Sequence, residues 1–213
     1  MRTLEELLQT PRMGANTPFD EVNQVEGLVS LINDINITGK TICEVGCYLG
    51  VSTETFLKFS PQKMYCVDIW GLDSTYIDTD WTNNKISDVE ATFRQMASEY
   101  SNVEIIKDYS NNAANLIPDD SLDLVYLDAR HNTNDVLNDV KTWIPKVKQG
   151  GYLAGHDINL GGTVYGLKFA ILEVDRLNGL EILKEPLHSS QLPWNSPDGR
   201  FKSYKDCSWS ILC

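Results

Sequence analysis

The spacing of apolar residues alternates between two periods along the chain. Val22, Val25, Leu28, Val29 and Ile32 recur at helical spacing behind Asp20, a residue type that caps helices. Thr38-Gly39-Lys40 interrupts that run, and residues 41–45 read as a short apolar strand. A helix is expected over 52–59, stopped by Ser60-Pro61. Strands follow at 64–67, ending on Asp68, and at 103–106, ending at Asp108. The helix of Ile86, Val89, Phe93 and Met96 lies between them. A short helix is expected over 111–117, and the continuous apolar run 122–127 has the pattern of a strand buried on both faces. Val136, Val140, Trp143 and Val147 predict a helix reaching Gly150-Gly151, with a strand at 152–154 after it. Val164, Leu167, Ala170, Ile171 and Val174 predict another, with Asn178-Gly179 as its C-cap. Two last strands are expected at 180–183 and 207–212. A short amphipathic helix is expected at 3–10. The stretch 70–84, with Trp70 and Trp81, has no period, as in a functional loop or a substrate lid.

Strands alternating with helices predict an α/β fold, a doubly wound, mostly parallel sheet with helices on both faces. Ligands of such sheets bind beyond the carboxyl ends of the strands, at the switch point. The residues to examine are therefore 44–50, Asp68, Asp108, Asp128 and Asp157. Glu44, Gly46 and Gly50 form Glu-x-Gly-x-x-x-Gly, whereas the dinucleotide fingerprint is Gly-x-Gly-x-x-Gly with a pyrophosphate at the helix start. The wider turn preceded by an acid suits a nucleoside cofactor that lacks phosphate and carries cationic groups. Asp68 is placed for ribose hydroxyls. A nicotinamide-dependent reductase is disfavoured on the same spacing.

Composition narrows the partners. With 213 residues, 42% hydrophobic and 23% charged, the chain reads as one globular domain: an arm over 1–19, a cofactor-binding core over 20–175, and terminal strands with a substrate loop over 176–213. A net charge of −12 without a basic cluster argues against nucleic acid and anionic membranes as partners. The first residues carry neither a signal peptide nor an anchor pattern, and five cysteines with Cys43, Cys47 and Cys66 in apolar surroundings suit a reducing cytoplasm. Homo-oligomerisation stays open.

The stretches 44–53, 67–73 and 122–131, followed by Asp139, Trp143, Gly150-Gly151 and Gly155-His156-Asp157, resemble class I S-adenosylmethionine-dependent methyltransferases of the small-molecule O-methyltransferase-like group. That resemblance, over about residues 20–175, implies a Rossmann-like sheet of seven strands with the last antiparallel. It implies a pocket in which Glu44, Gly46, Gly50 and Ser52 border the methionine part and ribose. Asp68 would hold the ribose, Ile69 and Trp70 would lie by the adenine, and Asp108 and Ser110 at its edge. Asp128 would face the reacting methyl group or a metal.

An acceptor hydroxyl needs a base or a divalent cation to lose its proton. His131, three residues after Asp128, is the candidate base, with Asp128 beside it as the other catalytic residue. Asp128 and Asp157 close neighbouring strands and are candidate ligands for Mg²⁺ or another hard cation. In catechol-type relatives a third oxygen ligand follows the second aspartate. Here Ile158 stands there and cannot coordinate, leaving Asn159, His156 or water for that role, or a site without metal in which Asp157 hydrogen-bonds the backbone or His131. Trp194 is a candidate for the acceptor pocket, and Trp209 is expected in the core. The expected activity is O-methylation of a small sugar or phenolic metabolite. N-methylation of a small amine, and a nucleoside-binding interaction protein without transferase activity, are the alternatives.

Overall fold

The computed structural model describes residues 2–9, 25–71, 85–182 and 191–213. Its sheet has seven strands: β1 (Thr41–Val45), β2 (Lys63–Asp68), β3 (Val103–Lys107), β4 (Leu122–Leu127), β5 (Val147–Gly155), β6 (Phe201–Ser203) and β7 (Trp209–Leu212). They lie in the order β3-β2-β1-β4-β5-β7-β6. The first five in sequence are mutually parallel; β7 runs antiparallel to β5 and to β6. The order turns outward in both directions from β1 and β4, which makes their carboxyl ends the switch point.

Alternation along the strands sorts side chains into two layers. Cys43, Val45, Val125, Leu127 and Leu153 pack in one core with the inner faces of α5 (Ser110–Ala114), α6 (Thr133–Trp143) and α7 (Gly161–Glu173). Ile42, Met64, Cys66, Leu124 and Tyr126 face the other core, with α2 (Glu26–Ile35), α3 (Val51–Leu57) and α4 (Ile86–Ala97). A short α1 (Leu4–Leu8) opens the described chain with a Thr3/Glu6 capping box. No described helix is long and apolar enough to cross a membrane.

Asp206 fastens the segment leading into β7 to the second of these layers. Its buried carboxylate accepts from the Leu28 amide at 2.7 Å, in the first turn of α2, and from the Ser208 amide at 2.8 Å. The fit is tight enough that a Cβ on Gly27 would lie 2.0 Å from its Oδ1.

Four boundaries differ from the sequence pattern. The helix expected to reach Gly150-Gly151 stops at Trp143 and passes into a 3-10 turn over Ile144–Lys146. Pro145 lacks the amide that would extend it. The glycine pair instead lies inside β5, where the register against β4 shifts. The helix containing Val164 ends at Glu173, and Asn178-Gly179 closes a separate 3-10 turn, Asp175–Leu177. The described part of the strand expected at 180–183 is not a strand, although Leu180 is buried. The penultimate strand is Phe201–Ser203, within the region expected to be the substrate loop. There Phe201 and Ser203 are buried around an outward Lys202, an alternation too short to stand out in sequence. Asp20, Val22 and Trp81 lie outside the described residues.

Candidate active site

On the β1–β3 side, side chains that could meet a ligand are largely engaged by the protein. Glu44 shares the face of Ile42, and its fully buried carboxyl accepts the hydroxyls of Ser52 and Thr53 on α3. Burial pushes its pKa up to about 8, against the pull of those two hydroxyls. With no exposed atom, the Glu44 side chain is enclosed by protein. It ties the glycine turn to α3. Gly46 and Gly50 have φ of 93° and 83°. The space a Cβ would need is filled by protein: the Asp128 carbonyl oxygen would lie 2.2 Å from one at Gly46, and Met96 Cε 2.5 Å from one at Gly50. Close approach of β4 requires Gly46 whatever the ligand.

Asp68, half-buried at the end of β2, accepts three amides at 2.9 Å: Cys47 and Tyr48 on Oδ2, Trp70 on Oδ1. A carboxylate has about four acceptor sites, so Oδ1 keeps one for a ligand hydroxyl. Trp70 is 4% exposed, gives its indole N–H to the Tyr48 carbonyl at 3.1 Å, and packs on Phe93 at 4.8 Å between ring centroids. It packs as a wedge in the core, and Ile69 beside it is half-buried. After β3, Asp108 accepts from the Tyr109 amide and the Asn112 side chain. Ser110 donates to Asp139 at 2.6 Å and accepts from the Trp143 indole at 2.8 Å.

The β4–β5 side is different. Pairing of Leu127 with Gly155 sets Asp128 and Asp157 on adjacent strand ends. Asp157, in a left-handed conformation at φ 58°, receives His131 Nε2 on Oδ2 at 3.0 Å and His156 Nδ1 on Oδ1 at 3.3 Å. Ligand atoms of Asp128, His131 and Asp157 all lie within 4.8 Å of one another. Ile158 is buried in the core.

The charges reinforce one another. Burial alone would raise the Asp157 carboxyl, but hydrogen bonds from His131 and His156 outweigh it and hold the pKa well below the usual range. Burial opposes protonation of His156, yet the Asp157 bond and the Asp128 and Asp157 charges lift it to about 9. His131 is raised by the same acids against the same burial penalty. Burial also lifts Asp128 to about 6, the His156 charge opposing. The cluster thus holds separated charge at neutral pH.

A narrow cleft beside it is lined by Arg130, His131, Asp139, His156, Thr163 and Trp209. Trp209 is buried, as expected, and gives its N–H to the His156 carbonyl at 2.9 Å; Trp194 packs on Phe201. Asp139, raised to about 6 by burial, enters the sequence reading only as part of the family resemblance, with no role, and Thr163 does not enter it. The available signal for Asp139 was an acid on the inward face shared by Val136, Val140 and Trp143. Nothing local marked Thr163 or Asp206.

Comparison with known proteins fits this geometry. No curated protein matches the chain in sequence. Among solved structures, a candidate caffeoyl-CoA O-methyltransferase from Staphylococcus aureus is similar at 17% identity and TM-score 0.51, over 87% of this chain and 81% of that one. A precorrin 8w decarboxylase from Methanobacterium thermoautotrophicum is similar at 15% identity and TM-score 0.53, over 87% and 88%. An S-adenosylmethionine-dependent methyltransferase from Mesorhizobium loti matches at 14% identity and TM-score 0.47, over 67% of this chain and 57% of that chain's length. At such identities the first two of these likenesses speak for the fold. The model of the methyltransferase domain family matches residues 43–158, more than half of the sequence and the span from β1 through Asp157, and the chain belongs to that family.

Proposed function

We propose that the protein transfers a methyl group from S-adenosylmethionine to a hydroxyl of a small molecule, with His131 as the base. The observation that carries this reading is the 3.0 Å contact of His131 Nε2 with Asp157 beside Asp128 at the switch point. S-adenosylmethionine supplies a methyl group on a sulfonium, which an acceptor oxygen displaces in line. Asp68 would hold the ribose through its remaining acceptor site, with Ile69 and Asp108 toward the adenine. Gly46, Gly50 and Ser52 would shape the turn under the methionine part, with Glu44 supporting it from behind. Asp157 orients the His131 ring and fixes Nε2 as the bonded nitrogen, so Nδ1 takes the acceptor proton. The base is competent only when the imidazole is neutral, that is, above its raised pKa. The charge of −12 favours a small acceptor over nucleic acid.

A metal-assisted variant is favoured by one observation, the convergence of Asp128, His131 and Asp157 ligand atoms within 4.8 Å. In it His131 is the third ligand, in place of Asn159 or His156. Two carboxylates and an imidazole suit Mn²⁺ or Zn²⁺ as well as Mg²⁺. The cation would lower the pKa of a bound hydroxyl.

Calorimetric titration with S-adenosylhomocysteine is expected to give saturable binding, and none with NAD; an absence of heat with the former overturns the assignment. A screen of small hydroxylated and amine acceptors with isotopically labelled donor, repeated in EDTA, then separates the variants. Unchanged turnover in chelator leaves the His131–Asp157 base, and labelling of amines alone replaces O- by N-methylation.

A further inference from the structure

Helix α7 is apolar on more than the side it buries. Val164, Leu167 and Ala170 face the core, yet Tyr165, Phe169 and Leu172 on the opposite side are 42%, 47% and 82% exposed. A surface helix ordinarily keeps its outer face polar, and one that is apolar all round is ordinarily covered all round. The three exposed residues are spaced four and then three apart, so they form one stripe along the helix. The other large apolar residues exposed among those described, Tyr109, Leu116, Leu160 and Leu212, lie outside it. Alternating steps of four and three are those of the seam between two paired helices. Helical spacing sets Lys168 on one flank of the stripe and Glu173 on the other. Lys168 lies over the Tyr165 ring at 5.2 Å, and Glu173 accepts from Lys141 at 2.6 Å. A carboxylate has about four acceptor sites, so Glu173 keeps room for a second cation.

The two flanking charges decide what covers the stripe. Two parallel copies of α7, related by a two-fold axis along the seam, bring opposite flanks together. Lys168 of each copy then meets Glu173 of the other, the offset at which charges pair across a parallel seam. An antiparallel pair brings like flanks together and sets lysine beside lysine. The face is therefore complementary to itself in one orientation. We propose that the outer face of α7 docks a second copy of this chain in parallel, with Tyr165, Phe169 and Leu172 in the seam and two reciprocal Lys168–Glu173 pairs at its edges. Two chains of net charge −12 repel one another in general, but this stripe carries one charge of each sign. The same net charge disfavours an anionic membrane as the occupant. So short a seam covers less than the roughly 1,200 Å² of a stable interface, and the dimer is expected to be weak and reversible, with a Kd of about 100 μM. The pairing is independent of the methyltransferase reading.

The test is sedimentation equilibrium of the full chain from about 1 μM to about 1 mM. Wild type is expected to pass reversibly from the mass of one chain to that of two. Leu172→Asp, at a position 82% exposed in the single chain, is expected to abolish association over that range. Lys168→Glu and Glu173→Lys, each alone, are expected to weaken it about tenfold, because each turns two attractions into repulsions. The double variant, or an equimolar mixture of the two single ones, is expected to restore it. Thermal melts at the lowest concentration report that each variant folds. Wild type that is monomeric throughout overturns the proposal. If phosphatidylcholine vesicles then bind wild type but not Leu172→Asp, the stripe belongs to a lipid surface instead. A dimer untouched by Leu172→Asp, or one indifferent to both charge reversals, overturns the parallel pairing.

Discussion

The two halves of the strand-end rim use polar residues in opposite ways. On the β1–β3 side, Glu44 and Asp68 spend their hydrogen bonds on the protein's own hydroxyls and turn amides. On the β4–β5 side, Asp128, His131, His156 and Asp157 face one another as charges. The first arrangement fixes a backbone. The second stores charge that can move a proton. A strand-end acid is therefore not a functional signal by itself; what matters is whether its lone pairs end on backbone or on another titratable group.

The sharpest way to break this division is at His131. His131→Gln is expected to lower kcat about 100- to 10,000-fold, with S-adenosylhomocysteine affinity nearly unchanged by calorimetry. Loss of cofactor binding instead would merge the two halves. For wild type, kcat/KM should rise with pH through the His131 pKa. Because Asp157 and Asp128 raise that pKa, the limb lies above the ordinary 6.5 or so. A limb at or below that value contradicts the pairing.

A smaller effect, on stability, is expected at the glycine turn. A Cβ at Gly46 meets the Asp128 carbonyl oxygen at 2.2 Å, in a backbone conformation that disfavours side chains. Gly46→Ala should cost about 3 kcal/mol in urea unfolding. A neutral outcome would mean that β1 and β4 are not held so closely.

Another effect on stability concerns Glu44, and its sign is specific. With a folded pKa of about 8 against roughly 4.3 unfolded, the native state binds the extra proton between those values. Stability is therefore highest at the acid end of that window and declines as pH rises through it. Glu44→Gln should remove this decline: the two proteins should be close at pH 5, and the variant more stable at pH 8. Parallel curves would place Glu44 in water.

Much of this was legible in sequence because it is local. The run 122–127 is β4 to the residue, and the switch-point rule picked out Asp128 and Asp157. The face of Glu44 could be read from its alternation with Ile42, but the α3 hydroxyls that seal it follow from how the helix docks. Trp70 reads as a loop residue in sequence because its neighbours are irregular, whereas its burial depends on Phe93 in α4. β6 was hidden among Ser, Pro and Gly residues, since three residues carry too little pattern to stand against turn signals. Thr163 gave no warning, as its hydroxyl is left unbonded only once the surrounding chain is in place.

Asp206 also bears on how the molecule is made. It closes the start of α2 from 178 residues further along the chain, and β7, which follows it directly, is the strand that pairs with both β5 and β6. During synthesis the early helix waits uncapped and the β5 edge stays bare until residues 206–212 emerge. The sheet is thus completed by its latest-made part, a long-range closure of the kind that slows folding and leaves chaperone-accessible surface in the meantime. Released chains truncated after residue 205 should remain protease-sensitive, and those extending through residue 213 resistant. Resistance at 205 would show that the nascent domain locks without its late fastener.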